Sequence, residues 1–279
     1  MKLSIGYSSC PNDTFIFDAM VNGKIDTEGI KFEVVMEDVE NLNRRAFAKE
    51  LDVSKLSYHA YGYAWDDYIM LESGSALGNN CGPLVISNTE IKQPSLEIPK
   101  LNVAIPGKFT TANLLFCMAY PDAINKKELL FSEIEDNIVN GVVEVGVIIH
   151  ENRFTYQKRG LKKVVDLGEF WEEMAQGPIP LGGIAIKRKI SDKIKQKINR
   201  IIERSVKFAL DNPEASRNYV KSNAQVMKDD VIEKHIGLYV NKYTLKLGEK
   251  GVRAVNKLFE KAIELNILEP ANKTLILNH

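Results

Sequence analysis

The sequence predicts two α/β lobes, with a helical C-terminal third returning to cover the first. Three observations carry this. Short apolar runs alternate with amphipathic segments through the first half, the rhythm of βα units. Gln93–Pro99 holds two prolines and no clear periodicity, as a crossover between two such series would. After about residue 190 the pattern becomes helical. The predicted domains are therefore a discontinuous large lobe, residues 1–95 and 188–279, and a small lobe, residues 96–187. Such lobes leave a ligand cleft between them, and ligands of α/β sheets sit at the carboxyl ends of strands.

Element by element, Leu3–Tyr7 reads as a strand and Thr14–Val21 as a helix that Asn22-Gly23 closes. Ile30–Met36 is a second strand, Glu37–Lys49 a helix, and Leu51–Leu56 a short third strand. Ser57 is placed to cap a helix running towards Trp65. The small residues of Ser73–Gly78 read as a loop, followed by a strand at Pro83–Ser87. The second series has a strand at Asn102–Ile105, a Pro106-Gly107 turn and a helix over Thr110–Ala119. A helix over Ser132–Asn140 leads to an apolar strand, Val145–Ile149. Val164–Leu167 and Gly183–Ile186 read as further strands. Ile194, Ile198, Ile201 and Ile202 lie at i, i+4, i+7 and i+8, one apolar stripe of a helix that Pro213 stops. Val231–Val240 and Val252–Leu265 repeat that pattern.

Lys plus Arg and Asp plus Glu number 37 each in 279 residues, so bulk charge directs the chain neither to nucleic acid nor to a membrane surface. The first residues lack the charged and apolar regions of a secretory signal, and no apolar run is long enough to span a bilayer. Cys10, Cys81 and Cys117 are widely spaced without a CxxC pair, which argues against a disulfide framework and a zinc site. A cytoplasmic protein is expected, with no metal or redox cofactor. Walker, dinucleotide and GxSxG motifs are absent.

Three segments follow a strand and open a helix: Ser8–Thr14, Lys55-Leu56-Ser57 and Gly107–Thr111. Their free N–H groups and hydroxyls suit a carboxylate or polyhydroxyl ligand. The competing reading makes Asn12, Ser57 and Thr110 plain helix caps. Of the four histidines, His59 and His235 read as helix-face residues and His279 is terminal. His150 instead ends an apolar strand, where a satisfied strand-end histidine and a general base are equally open readings. Cys10 reads as a small buried residue.

Several segments together resemble the 1,4-dihydroxy-6-naphthoate synthase family. They include Ser9-Cys10-Pro11-Asn12-Asp13-Thr14-Phe15-Ile16-Phe17, Lys55-Leu56-Ser57-Tyr58, Pro106-Gly107-Lys108 with Thr110-Thr111-Ala112, and Ile148-Ile149-His150-Glu151-Asn152-Arg153-Phe154-Thr155-Tyr156. The resemblance implies a fold like the type 2 periplasmic binding proteins, used as an enzyme. It further implies cleavage of cyclic dehypoxanthine futalosine to 1,4-dihydroxy-6-naphthoate and dihydroxyacetone, a lyase step of the futalosine route to menaquinone. His150 would be the catalytic base. Lys55, Leu56, Ser57, Thr110 and Thr111 match the family's substrate-binding segments, and Asn12 and Asp13 complete the expected binding set. Asp13 or Ser57 would assist proton transfers. The partner implied is a small-molecule carboxylate substrate. Two rivals stay open: a non-catalytic binding protein for a small anion, and chorismate dehydratase of the same pathway.

Overall fold

A computed structural model of the chain describes residues 1–224 and 228–277; His279 lies outside the described residues. The strands are β1 (Lys2–Tyr7), β2 (Lys31–Met36), β3 (Val53–Ser57), β4 (Tyr68–Met70), β5 (Ala76–Gly78), β6 (Leu84–Ser87), β7 (Val103–Ile105), β8 (Lys126–Glu128), β9 (Val145–Ile148), β10 (Lys162–Asp166) and β11 (Ile179–Lys187). They form two sheets, one in each of two compact units: Met1–Gly78 with Pro180–His279, and Asn79–Ile179.

In the first unit the sheet order is β2-β1-β3-β11-β4, with β5 paired to β11. β1 runs parallel to β2 and β3, while β11 is antiparallel to β3 and β4. The helix Pro11–Val21 starts with a proline, whose missing N–H costs nothing there, and ends at Asn22 before Gly23. Gly23 has φ 71°, the left-handed conformation that suits glycine at a helix stop. Every residue from Pro11 to Met20 is buried, as a helix packed on several sides requires. It lies along the helix Asp192–Asp211. There the Ser205 hydroxyl donates to the Ile16 carbonyl at 2.6 Å and accepts from the Met20 N–H at 3.2 Å. Ile198, Ile201 and Ile202 of the longer helix join Ile5, Phe17, Ile184 and Ile186 in the core. Further along, Phe259 of the helix Gly248–Glu264 packs against the rings of Tyr58, Tyr61 and Trp65. The C-terminal helices thus belong to the first unit.

The second unit's sheet has the order β10-β6-β9-β7-β8. β7 is parallel to both β8 and β9, whereas β6 is antiparallel to β9 and β10. Leu84, Ile86, Ile134, Ile138, Ile148 and Tyr156 form its core. Gly146 lets the helix Ile134–Val139 approach β9 closely, since a Cβ there would sit 2.5 Å from Ile134 Cγ2.

The unit boundaries fall at 78/79 and 179/180, not at 95/96 and 187/188. Hydrogen bonding explains the difference. β6 pairs with β9 and β10 and so belongs to the second sheet, while β11 pairs with β3 and β4 in the first. Gln93–Pro99 holds a short helix, Pro94–Glu97, and the start of a 3-10 turn, Ile98–Lys100, instead of an unstructured crossover. Ser73–Gly78 is a loop only to Ser75, after which β5 begins. The strand expected over Val164–Leu167 stops at Asp166, because that side chain caps the helix Leu167–Ala175. Among the described residues no helix is long and apolar enough to cross a membrane.

Candidate functional site

In the first unit the carboxyl ends of β1 and β3 lie side by side, Gly6 opposite Ser54. The chain leaving β1 turns at Ser8 into the helix Pro11–Val21, and Asp13 in its first turn reaches back over that turn. Asp13 Oδ2 accepts from the Ser8 hydroxyl at 2.7 Å and the Ser8 N–H at 3.2 Å. Its Oδ1 accepts from Lys55 Nζ at 2.9 Å and Asn12 Nδ2 at 2.8 Å. Each oxygen thus takes two donors, which fills the acceptor capacity of an ionised carboxylate. Lys55 and Asp13 are both buried, with side-chain exposures of 7% and 3%. A buried ion pair of this kind survives because charge-assisted hydrogen bonds replace the lost hydration.

Strand alternation places Lys55 and Ser57 on one face of β3 and Leu56 on the other. Leu56 is fully buried. Gly182 lies opposite Ser57 on β11, and a Cβ there would stand 2.7 Å from the Leu56 carbonyl oxygen and 3.5 Å from Lys55 Cε. Glycine at that point makes room for the Leu56 carbonyl, while the lysine stem lies at ordinary contact distance. Ser57 occupies the cap position of the helix Tyr58–Ala64, yet its hydroxyl does not cap. It accepts from Asn43 Nδ2 at 3.2 Å, and its N–H donates to Asn43 Oδ1 at 3.0 Å. Asn12 is not a cap either: it lies inside the first turn, where its Oδ1 is 2.8 Å from His235 Nε2.

In the second unit, parallel β7 and β9 bring two strand ends together, Ala104 opposite Gly146. After β7 the chain passes Gly107, at φ 143°, and enters the helix Thr111–Ala119. Thr110 is a true cap, accepting from the Asn113 N–H at 3.2 Å while donating to the Gly107 carbonyl at 2.8 Å. Thr110 and Thr111 are both buried.

His150 follows β9 and opens the 3-10 turn His150–Phe154. It is half-buried, and its backbone has φ 58°, in the left-handed region that non-glycine residues seldom adopt. The Phe131 ring meets the imidazole edge-on at 4.8 Å between centroids. Two anchors hold the turn. Asn152 Nδ2 donates to Glu135 Oε1 at 2.8 Å, while Arg153 donates to Asp166 Oδ2 at 2.7 Å and to the Gly82 carbonyl at 2.5 Å. Burial raises the Glu135 carboxyl above the ordinary range. Nearby Cys81 is buried, and desolvation pushes its thiol up to about 12.

Asn12, Asp13 and Lys55 therefore form one connected network in the first unit, with Ser57 in a separate pair and Leu56 packed on the opposite face. Thr110, Thr111 and His150 belong to the second unit, at neighbouring strand ends. Among the described residues no group of three or more His, Cys, Asp or Glu side chains is arranged to hold a metal ion. Sequence reasoning placed His235 on a helix face, where it lies, but gave it no partner, and it did not single out Asn43, Glu135 or the anchoring role of Arg153. His235 lies 223 positions from Asn12, so no local pattern could connect them. Asp166 did carry a signal, an acidic residue followed three positions later by Glu169.

Residues 3–264 match the family model described as menaquinone biosynthesis. A protein of Thermus thermophilus named 1,4-dihydroxy-6-naphtoate synthase is 41% identical over 275 residues, covering 99% of each chain. A Streptomyces coelicolor protein of the same name is 40% identical over 265 residues, covering 93% of this chain and 92% of its own. A crystal structure of an Archaeoglobus fulgidus protein superposes with a TM-score of 0.90 at 35% identity, over 96% of this chain and 98% of that one. A Candida albicans protein described as having the generic periplasmic binding protein fold superposes at a TM-score of 0.66 and 11% identity. That match covers 99% of this chain and 93% of the other, and shows the fold alone.

Proposed function

The chain belongs to the menaquinone-biosynthesis family, and from that premise we propose that it is a lyase of the futalosine route. It would convert cyclic dehypoxanthine futalosine to 1,4-dihydroxy-6-naphthoate and dihydroxyacetone, in the cytoplasm. The near full-length similarity to two proteins named for the naphthoate product supports the reaction. The observation that carries the mechanism is the way His150 is held.

A left-handed backbone at a bulky residue costs on the order of 1–3 kcal/mol and persists only where its surroundings enforce it. The Asn152–Glu135 and Arg153–Asp166 anchors enforce it here. They present the imidazole at a strand end, where α/β folds place ligands. In this reading His150 takes a proton from the substrate. Ring opening and carbon–carbon cleavage follow, and formation of the aromatic naphthoate drives the step forward. Lys55 supplies positive charge for the substrate carboxylate. Asp13, its acceptor capacity already filled, orients that charge and transfers no proton. The helix start at Thr110 and Thr111 offers backbone N–H groups to the sugar-derived part.

Purified protein supplied with cyclic dehypoxanthine futalosine should release naphthoate, detected by its absorbance and mass, and should leave chorismate unchanged. Conversion of chorismate would favour the dehydratase of the pathway. Binding of cyclic dehypoxanthine futalosine without product would favour a solute-binding role.

A further inference from the structure

Within the first unit a buried polar chain connects the C-terminal half of the protein to Lys55. It begins at the fully buried His235, on the helix Asp229–Tyr239. Its direction follows from elementary donor and acceptor rules. Asp13 as a carboxylate only accepts, so the Asn12 atom 2.8 Å from Asp13 Oδ1 must be the Nδ2 donor. The other end of that amide, Oδ1, then faces His235 Nε2 at 2.8 Å. An amide oxygen cannot donate, so His235 Nε2 carries the hydrogen. The chain reads His235 Nε2–H to Asn12 Oδ1, Asn12 Nδ2–H to Asp13 Oδ1, and Lys55 Nζ to the same oxygen at 2.9 Å. One helical turn on, the Tyr239 ring lies 4.7 Å from the imidazole and limits its rotation.

We propose that His235 is a positioning residue for the Lys55 ammonium. It sets the Asn12 amide, the amide sets the Asp13 rotamer, and Asp13 holds the ammonium at the carboxyl end of β3. Without the Nε2–H donor Asn12 Oδ1 is buried without that partner, and the amide turns away from Asp13 to find another. Asp13 Oδ1 then loses one of its two donors, and Lys55 loses its fixed place. His235 touches no substrate and acts only through this chain. The inference rests on the reading that Lys55 meets the substrate carboxylate.

The test compares His235→Gln, His235→Leu and Lys55→Met in steady-state turnover of cyclic dehypoxanthine futalosine. Gln places an N–H donor close to the position of Nε2, and Leu places none. With a buried hydrogen bond lost, His235→Leu should raise KM on the order of tenfold while kcat stays within about threefold. His235→Gln should return KM to within about threefold of wild type. Equal impairment of the two variants, or an unchanged KM in His235→Leu, overturns the proposal and leaves the site reading intact if Lys55→Met still raises KM. An unchanged KM in Lys55→Met removes the site reading itself, and the proposal with it. Imidazole ¹⁵N resonances of the wild-type protein provide a measurement that needs no variant to fold. A protonated Nε2 at His235 is expected, and a bare Nε2 overturns the proposal.

Discussion

Arg153 grips Asp166 through Nη2 at 2.7 Å, and its Nη1 reaches the Gly82 carbonyl at 2.5 Å. One guanidinium therefore ties the turn after β9 to the end of β10 and to the residues leading into β6. The pairing of Leu84 with Ile148 and of Asp166 with Leu84 brings these three points to one end of three neighbouring strands. His150 stands three residues before Arg153, so the grip limits where the imidazole can lie.

Arg153→Lys should lower kcat by about 10- to 100-fold, the cost of a misplacement on the order of 1 Å, with KM little changed. A single ammonium lacks the planar fork needed to serve both acceptors. Steady-state kinetics check this, and an unchanged kcat would detach the grip from catalysis.

Lys55→Met should destabilise the fold by about 3–5 kcal/mol, because Asp13 would remain buried without its counter-charge. Urea unfolding followed by circular dichroism measures it. A loss below about 1 kcal/mol would mean that the pair is solvated like a surface pair.

Gly82→Ala should cost at least about 1–3 kcal/mol. A Cβ at 82 would lie 2.3 Å from the backbone N and Cα of Gly168, and backbone cannot rotate aside as a side chain can. The thermal midpoint reports the loss, and an unchanged midpoint would show that the two backbones separate freely.

Iodoacetamide on the native protein should modify Cys117 well before Cys81 or Cys10. Cys117 is half-exposed and has Lys126 Nζ 3.0 Å from its sulfur. Cys81 is buried with its thiol pushed up to about 12, and Cys10 is buried as well. The thiolate is the reactive form, so a thiol that stays protonated and covered is protected. Peptide mass mapping after brief labelling reads the order directly.

Most of the fold was legible in the sequence because its elements carry strong local periodicity. The Ile194, Ile198, Ile201 and Ile202 stripe is one helix, and Leu3–Tyr7 is one buried strand. The strands that escaped notice lack that signal. β8 is the exposed edge sequence Lys126-Lys127-Glu128, and β4 is three residues long after two aspartates. Where one unit passes to the next is hard to read because strand partnership is non-local: nothing within Leu84–Ser87 says which sheet it joins. The same limit applies to the site. His150 stood out at the end of an apolar run, whereas the contacts of Asp13 with Lys55 and of Asn12 with His235 join residues far apart in the chain. The three helix starts read alike in sequence, yet only Thr110 caps through its side chain.

The most direct measurement compares wild type with His150→Asn for both turnover of cyclic dehypoxanthine futalosine and its equilibrium binding. The expected result is a loss of about 10²–10⁴ in kcat, as for removal of a general base, with Kd within about threefold. A variant that turns over at near wild-type rate would contradict His150 as the base. A wild-type protein that binds the substrate and never releases naphthoate would contradict the lyase reading as a whole.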